Sequence, residues 1–555
     1  MNEKKPGVTA LGAIVSIVLV AGLVALGVYM MMGRGGSASP GDGTAASAPA
    51  GDGAVDVAEV QVEVPRLSSP GTVQLTDNIV PIEISEYAGY AGLIAANGGL
   101  EPSENSLFFK NHGFKVRLTV SEGENWSALN EGKIAASVTT ADVLAVYGRQ
   151  LHATVPVQIG YSRGADGLVV RRDITRINAL KGKVIATAQF TEVDFFIRYL
   201  AQEAGLEVTA LSSLDSRPNP DRVNLVYTED GFAAGDLFAA ELKSGKNRLA
   251  GCVTWEPKVS EVVSGSKGQA HVLTTNRNLL IVSDVLIVHR TFAEQQPKIV
   301  EGLVQGLLEG NRMVRDHQDS YLDVVGRAFK WSREDARDEL SKVHLSNLPE
   351  NLAFFSGRID DAGSFGGIYQ SAVLAYGSDL IKNPPGADRF VDTRYLQAAE
   401  KSGRFKEQKI AIAPIRSGNA TAVETNPLLS KDIRFLFTPN ESTLDLANTG
   451  NMTSLDDIRK LLQVSPGSTV LLRGHVDNAQ IPVFRKEGGE SFVRTKALQA
   501  MELSQKRADE IKRLLVEKHR VDAKRLDAIG RGWEEPAGTD SAQNRRVEVQ
   551  WFTLE

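Results

Sequence analysis

The sequence predicts an α/β protein in two unequal parts behind one apolar helix, and three observations carry that expectation. Residues 76–400 alternate short apolar strands with helical stretches, the pattern of an open α/β sheet with parallel strands. Residues 468–515 read as a strand, a polar loop and an amphipathic helix. Residues 9–32 hold no charged side chain. A length of 555 residues corresponds to roughly three or four domains.

The amino-terminal stretch is taken first. Residues 9–32, at ~1.5 Å each, make a helix of ~36 Å, enough to cross a bilayer of ~30 Å with tilt. Lys4 and Lys5 precede it, and only Arg34 follows before Arg66. That bias leaves residues 1–8 in the cytoplasm and the bulk of the chain on the far side of the membrane. A cleaved signal peptide would have an apolar core of only ~7–15 residues, so a retained single-pass anchor is expected.

Residues 33–75 form a predicted flexible linker, rich in Gly, Ala, Ser, Pro and Asp over 33–58, with a mean span of about 35 Å. Hydrophobic content is 42%, charged content 23% and net charge −6. No basic surplus exists to neutralise phosphates, which argues against a nucleic-acid partner. Cys252 is the only cysteine, so no intrachain disulfide forms. The eight histidines lack ligand spacing, and neither a metal site nor a cofactor is expected.

Within 76–403, strands are predicted at Val80–Ser85, Lys115–Val120, Ile134–Val138, Val155–Ile159, Leu168–Val170, Lys183–Ala186, Arg248–Val253 and Leu286–His289. Helices are predicted over 191–204, 293–316 and 334–343. Ligands of such sheets bind at the carboxyl ends of strands, against helix amino termini. Two strand-to-helix junctions suit an anion there, Ser137–Asp142 and Thr187–Glu192. Ordinary N-capping would use the same Thr residues.

Residues 126–137 (Trp126-Ser127-Ala128-Leu129-Asn130-Glu131-Gly132-Lys133 and onward), Leu180–Ala186, Thr254-Trp255-Glu256-Pro257 and Phe390–Leu396 resemble, in order, type II periplasmic solute-binding proteins of the nitrate/sulfonate/taurine ABC-transporter branch. The resemblance implies two lobes, one of about 76–160 and 270–400 and the other of about 165–265, crossing near 160–168 and 266–285, with a small solute clamped between them. Carried over, the pocket comprises Tyr87, Tyr90, Thr139, Thr140, Gln189, Thr191, Trp255 and Glu256. Trp255 would stack on or wall the ligand, and Glu256 would accept from an amine or fix the hinge. Arg163 is the candidate cleft cation. One relative on this fold, the fungal thiamine-pyrimidine synthase, works through a histidine and a cysteine cluster, and that cluster is absent here. No nucleophilic triad or phosphate loop occurs either, so no enzyme and no catalytic residue is expected.

After a connector over 404–430, the last domain begins at 431. Ile433–Phe437 is its predicted first strand, and Ser454 is the predicted cap of a helix over Ser454–Leu462. Leu503, Arg507, Ala508, Ile511, Leu514 and Leu515 share one helical face, which sets Arg507 in an apolar stripe. Arginine is rarely buried without an anionic partner, and Asp477 fits as half of a zwitterion site; the alternatives are a structural ion pair or a side chain that snorkels to water.

Gly474-His475-Val476-Asp477-Asn478, the helix from Leu503, Gly530-Arg531-Gly532 and Asn544–Val549 resemble the OmpA-like peptidoglycan-binding domain, an α+β fold, over roughly 431–555. Asp477 and Arg507 fall where that family grips the diaminopimelate of the stem peptide. Val476 and Ala500 depart from the family pattern, and Pro482–Lys496 reads as a long charged loop. The apolar segment lacks Asp and Glu, unlike the stator subunits that share this domain. Together these features predict a periplasmic solute-binding module fastened to the wall, serving a transporter or sensor. The rival is an envelope scaffold whose cleft is vestigial or binds a protein.

Overall fold

The computed structural model describes residues 57–121, 125–357, 364–412, 427–433, 435, 437, 441–465, 468–539 and 541–552. The apolar segment over 9–32 lies outside the described residues, and no helix among those described is long and apolar enough to cross a membrane.

Two six-stranded sheets make two lobes. The chain lays down β1 (Ile79–Ile84), β2 (Lys115–Val120), β3 (Ala136–Thr140) and β4 (Ala153–Ser162), then crosses over. The second lobe takes β5 (Asp166–Arg171), β6 (Val184–Ala188), β7 (Val208–Ala210), β8 (Val223–Thr228), β9 (Gly251–Trp255) and β10 (Ala270–Thr275). The chain then returns to the first lobe for β11 (Ser283–His289) and β12 (Val343–Leu345). The sheet orders are β12-β4-β11-β3-β1-β2 and β10-β5-β9-β6-β8-β7.

Each sheet follows one plan: parallel strands, three in the first lobe (β2, β1, β3) and four in the second (β7, β8, β6, β9), then one antiparallel strand arriving from the other lobe. β5 enters beside β9 in one lobe and β11 beside β3 in the other. The wholly parallel sheet expected from strand–helix alternation is therefore corrected. A chain that crosses twice must bring a strand into each sheet head-on. β2 alternates, with Val116 and Leu118 buried and Arg117 and Thr119 exposed, as an edge strand over solvent does. β4 is buried along its whole length, in the middle of the molecule.

Four further findings concern how these parts are joined. The linker predicted to reach residue 75 is already docked from residue 57. Ala58 bridges Tyr227 in the second lobe, and further along Leu67 donates to Gln150 and Gly71 to the Asn130 carbonyl of the first. The return crossing spans Thr275–Ser283, because β10 belongs to the second lobe. At the connector's start, the amides of Ala411 and Ile412 donate to Glu350. A helix over Phe365–Leu380 packs on both lobes, against the helix after β3 and the helix after β6.

The carboxy-terminal part is a four-stranded sheet, β13 (Leu429–Ile433), β14 (Thr469–Gly474), β15 (Leu526–Gly530) and β16 (Val547–Phe552), in the order β13-β16-β14-β15. It begins with β13 rather than Ile433–Phe437. Its first helix runs Thr449–Val464 and is capped by Asn448, which accepts from the Asn451 amide, so Ser454 lies inside the helix rather than at its cap. The charged stretch 482–496 is helical, part of Ile481–Glu517, with a kink at Gly488 and Gly489. Gly489 takes φ 65°, which L side chains rarely adopt. This part docks on the second lobe: Ile177 donates to the Leu428 carbonyl, and Asn178 exchanges hydrogen bonds with the Ser430 backbone.

Candidate functional site

Between the lobes, the carboxyl ends of the parallel strands meet. Tyr87 and Tyr90 follow β1, Thr139, Thr140 and Asp142 end β3, Thr187 to Glu192 end β6, and Trp255 and Glu256 end β9. The crossing strands add Asp166, which opens β5, and Asp284, near the start of β11. The Tyr87 and Tyr90 rings stand edge to face at 5.3 Å. Gly89 makes room for them, because a Cβ there would strike the Tyr87 ring.

This convergence is acidic. Asp142, Asp166 and Asp284 are almost wholly buried, and Glu192 keeps some solvent access. Asp284 accepts from the Tyr90 hydroxyl at 2.9 Å. Asp166 accepts from Ser162 at 2.5 Å and from Asn276 at 2.6 Å. Burial pushes Asp142 up to about 7 and Asp284 up to about 8, and Asp166 adds to both as a neighbouring like charge. Burial raises Asp166 too, and raises Glu192 well above the carboxylate range with help from Asp166, Asp142 and Asp284. Burial and the charges of Asp284, Asp166 and Glu192 likewise raise Tyr87, so one hydroxyl senses acids from both lobes.

N-capping does not explain the two junctions. Asp142 precedes the helix Val143–Tyr147 and Thr191 precedes Glu192–Glu203, and neither side chain caps. The Thr191 hydroxyl donates to the Ala188 carbonyl instead. Between them Phe190 takes φ 65°, with its amide donating to Asp194. The hydroxyls of Thr139, Thr140, Thr187 and Thr254 are buried without hydrogen bonds.

The structure brings together Tyr87, Tyr90, Thr139 and Thr140 and gives the other four expected ligand residues, Thr191 among them, different contacts. The Gln189 side chain is taken by the docked linker: it accepts from the Gln61 amide and donates to the Gln61 carbonyl, both at 2.8 Å. Its amide is thus spent on backbone. Glu256 accepts from the Ser260 amide and hydroxyl and lies 3.3 Å from Lys342 of the first lobe, which is the hinge-fixing alternative. Trp255 packs on Phe232 with ring centroids 5.0 Å apart. Arg163 donates to the Arg277 carbonyl and forms no ion pair among the described residues, so it brings no charge to the acids.

Four acids, Asp142, Asp166, Glu192 and Asp284, are not apparent as ligand residues from the sequence. Asp142 and Glu192 close the two quoted junctions, so a signal existed. Asp166 and Asp284 gave none, because each is an isolated acid at the head of an apolar strand.

In the carboxy-terminal part, Gly474 lets β14 press against the long helix, where a Cβ would strike the Ser504 carbonyl. Asp477 lies just beyond β14, with Oδ1 accepting from the Ala479 amide at 3.0 Å. Arg507 is buried on the helix stripe. Its Nε donates to the Glu441 carbonyl at 3.1 Å, and its guanidinium lies 5.0 Å from the Phe437 ring centre. Burial lowers its affinity for a proton, and Arg545 lowers it further. Arg507 forms no ion pair with Asp477 or any other acid among the described residues. The structural ion-pair alternative therefore falls, and a guanidinium is left able to receive a carboxylate.

Comparison with known proteins matches the OmpA family to residues 436–550. No curated protein matches the chain. Similar solved structures include the periplasmic aliphatic sulphonate binding protein SsuA from Escherichia coli, at 15% identity and a TM-score of 0.41, covering 56% of this chain and 94% of that one. The periplasmic nitrate-binding protein NrtA from Synechocystis is similar at 13% identity and 0.42, covering 61% and 91%. The desulfurization enzyme DSZB is also similar, at 16% identity and 0.39, covering 59% and 99%. Residues 436–550, with Asp477 and Arg507 among them, are a domain of the OmpA family.

Proposed function

We propose that the chain is an inner-membrane-anchored periplasmic protein that binds a small solute between its lobes and attaches to peptidoglycan through its OmpA domain, serving a transporter or sensor. The observation that carries the wall attachment is the buried Arg507 guanidinium, which forms no ion pair with any acid among the described residues. A diaminopimelate centre offers both charges: Asp477 takes the ammonium and Arg507 takes the carboxylate. Sacculus pull-down tests this. Asp477→Ala and Arg507→Ala should each abolish it, and undiminished recovery of either variant would sink the assignment.

Solute binding is supported by the polar character of the interlobe site, whose buried hydroxyls lack partners. The scaffold reading has its own support. The docked linker and the helix Phe365–Leu380 both touch the two lobes and restrain the hinge. Native mass spectrometry of the purified full chain separates them. A co-purified small molecule lost on mild denaturation supports solute binding, and a clean mass supports the scaffold.

A further inference from the structure

We infer that the solute held between the lobes is a small organic cation, a protonated amine or quaternary ammonium, rather than an anion. This rests on the solute-binding reading above and names the ligand's chemistry. Asp284 accepts from Tyr90, whose ring meets that of Tyr87, and pairs in register with Thr140, two residues before Asp142. Asp166 of the second lobe accepts from Ser162, and the charges of Asp284, Asp166 and Glu192 act on the Tyr87 hydroxyl. None of the four forms an ion pair with a Lys, Arg or His among the described residues. Like charges gathered out of water repel, and a folded protein normally pairs or neutralises them.

Groups other than the acids also await a ligand. The Thr140 hydroxyl is 6% exposed and lies beside the Asp142 carboxylate without a well-formed hydrogen bond. Neither oxygen of fully buried Asp142 has a well-formed hydrogen bond, although Thr140 and the Val143 amide partly offset its burial. The Tyr87 hydroxyl, beside Ser162, is likewise unpartnered. The hydroxyls can donate or accept, but the carboxylates only accept when ionised, and an ammonium supplies the donors that a sulfonate or nitrate does not. Tyr87 and Tyr90 add aromatic surface suited to a cation. A metal ion fits less well, since no group of three or more ligating side chains among the described residues is arranged to hold one.

Calorimetry on the purified full chain tests the inference, with putrescine, choline and histamine as cations and ethanesulfonate, nitrate and phosphate as anions. Saturable binding of a cation is expected, weakened ~10-fold or more by Asp142→Asn and by Glu192→Gln. Binding of an anion with no cation binding overturns the inference while leaving the solute-binding reading intact. No saturable binding of any probe overturns both. Should Asp142→Asn fail to fold, Glu192→Gln, at the more accessible acid, decides the question in its place.

Discussion

Arg545 approaches Asp477 to 3.8 Å, the only ion pair that Asp477 makes among the described residues. The same Arg545 acts on Arg507 as a like charge. Arg545 thus pairs with one member of the proposed wall-binding pair and repels the other. Its side chain is half exposed, so its pair with Asp477 contributes at most about 1 kcal/mol. Arg507 is buried, and its charged hydrogen bonds to a ligand are each worth about 1.5–3 kcal/mol.

The first prediction follows from that contrast. Arg545→Ala should weaken binding of a soluble diaminopimelate-containing muropeptide less than about fivefold, and Arg507→Ala at least about tenfold. Arg507→Lys should not rescue it, because an ammonium lacks the planar fork that grips a carboxylate. Equal losses for Arg545→Ala and Arg507→Ala would transfer the carboxylate-binding role to Arg545.

The interlobe acids predict how stability depends on pH. Asp142 and Asp284 are raised from 3.8 to about 7 and about 8, so the folded chain holds protons that the unfolded chain releases. Their contribution is complete below about pH 4 and is lost as pH rises to about 8. His112, His152, His289 and His519 are lowered from 6.5, chiefly by burial, and act in the opposite sense below that pH. Between pH 6.5 and 8 the ligand-free full chain should therefore lose thermal stability. Asp284→Asn should flatten that slope, and a slope equal to the parent's would show that Asp284 ionises freely in the fold.

The two-lobed fold was legible because apolar strands and helices alternate over most of its length, and the crossings at Ser162–Asp166 and Thr275–Ser283 fall within the expected windows. The four-motif order located the strand that precedes Asp477 and the helix that carries Arg507. Less legible were features set by distant packing. Gln189 looked like a ligand residue at a strand end, yet Gln61, far away in sequence, captures its amide. The stretch 482–496 reads as loop because its charges and glycines carry no apolar stripe, and it is helical on a largely exposed surface. The interlobe acids become a cluster only when two crossings bring them together, which no local pattern announces.

The last prediction concerns the hinge. Lys342 lies 3.3 Å from Glu256 across the lobes and is also held by Asp338 at 2.8 Å and Glu339 at 2.9 Å. Burial pulls its proton affinity down, but these acids outweigh it, so the lysine stays charged. Glu256 also accepts from Ser260, which fixes it on the second lobe. Lys342→Met keeps the side chain's length, removes the charge and leaves Glu256 unpaired beside Glu339. The lobes should then separate more readily, seen as a larger radius of gyration by small-angle scattering and faster hydrogen exchange at the 255–260 amides. A companion Glu256→Gln change should restore most of the exchange protection in the double variant, because it removes the repulsion that the first change exposes. If Lys342→Met alone leaves both readouts at parent values, the closed arrangement is held instead by the docked linker and by Phe365–Leu380.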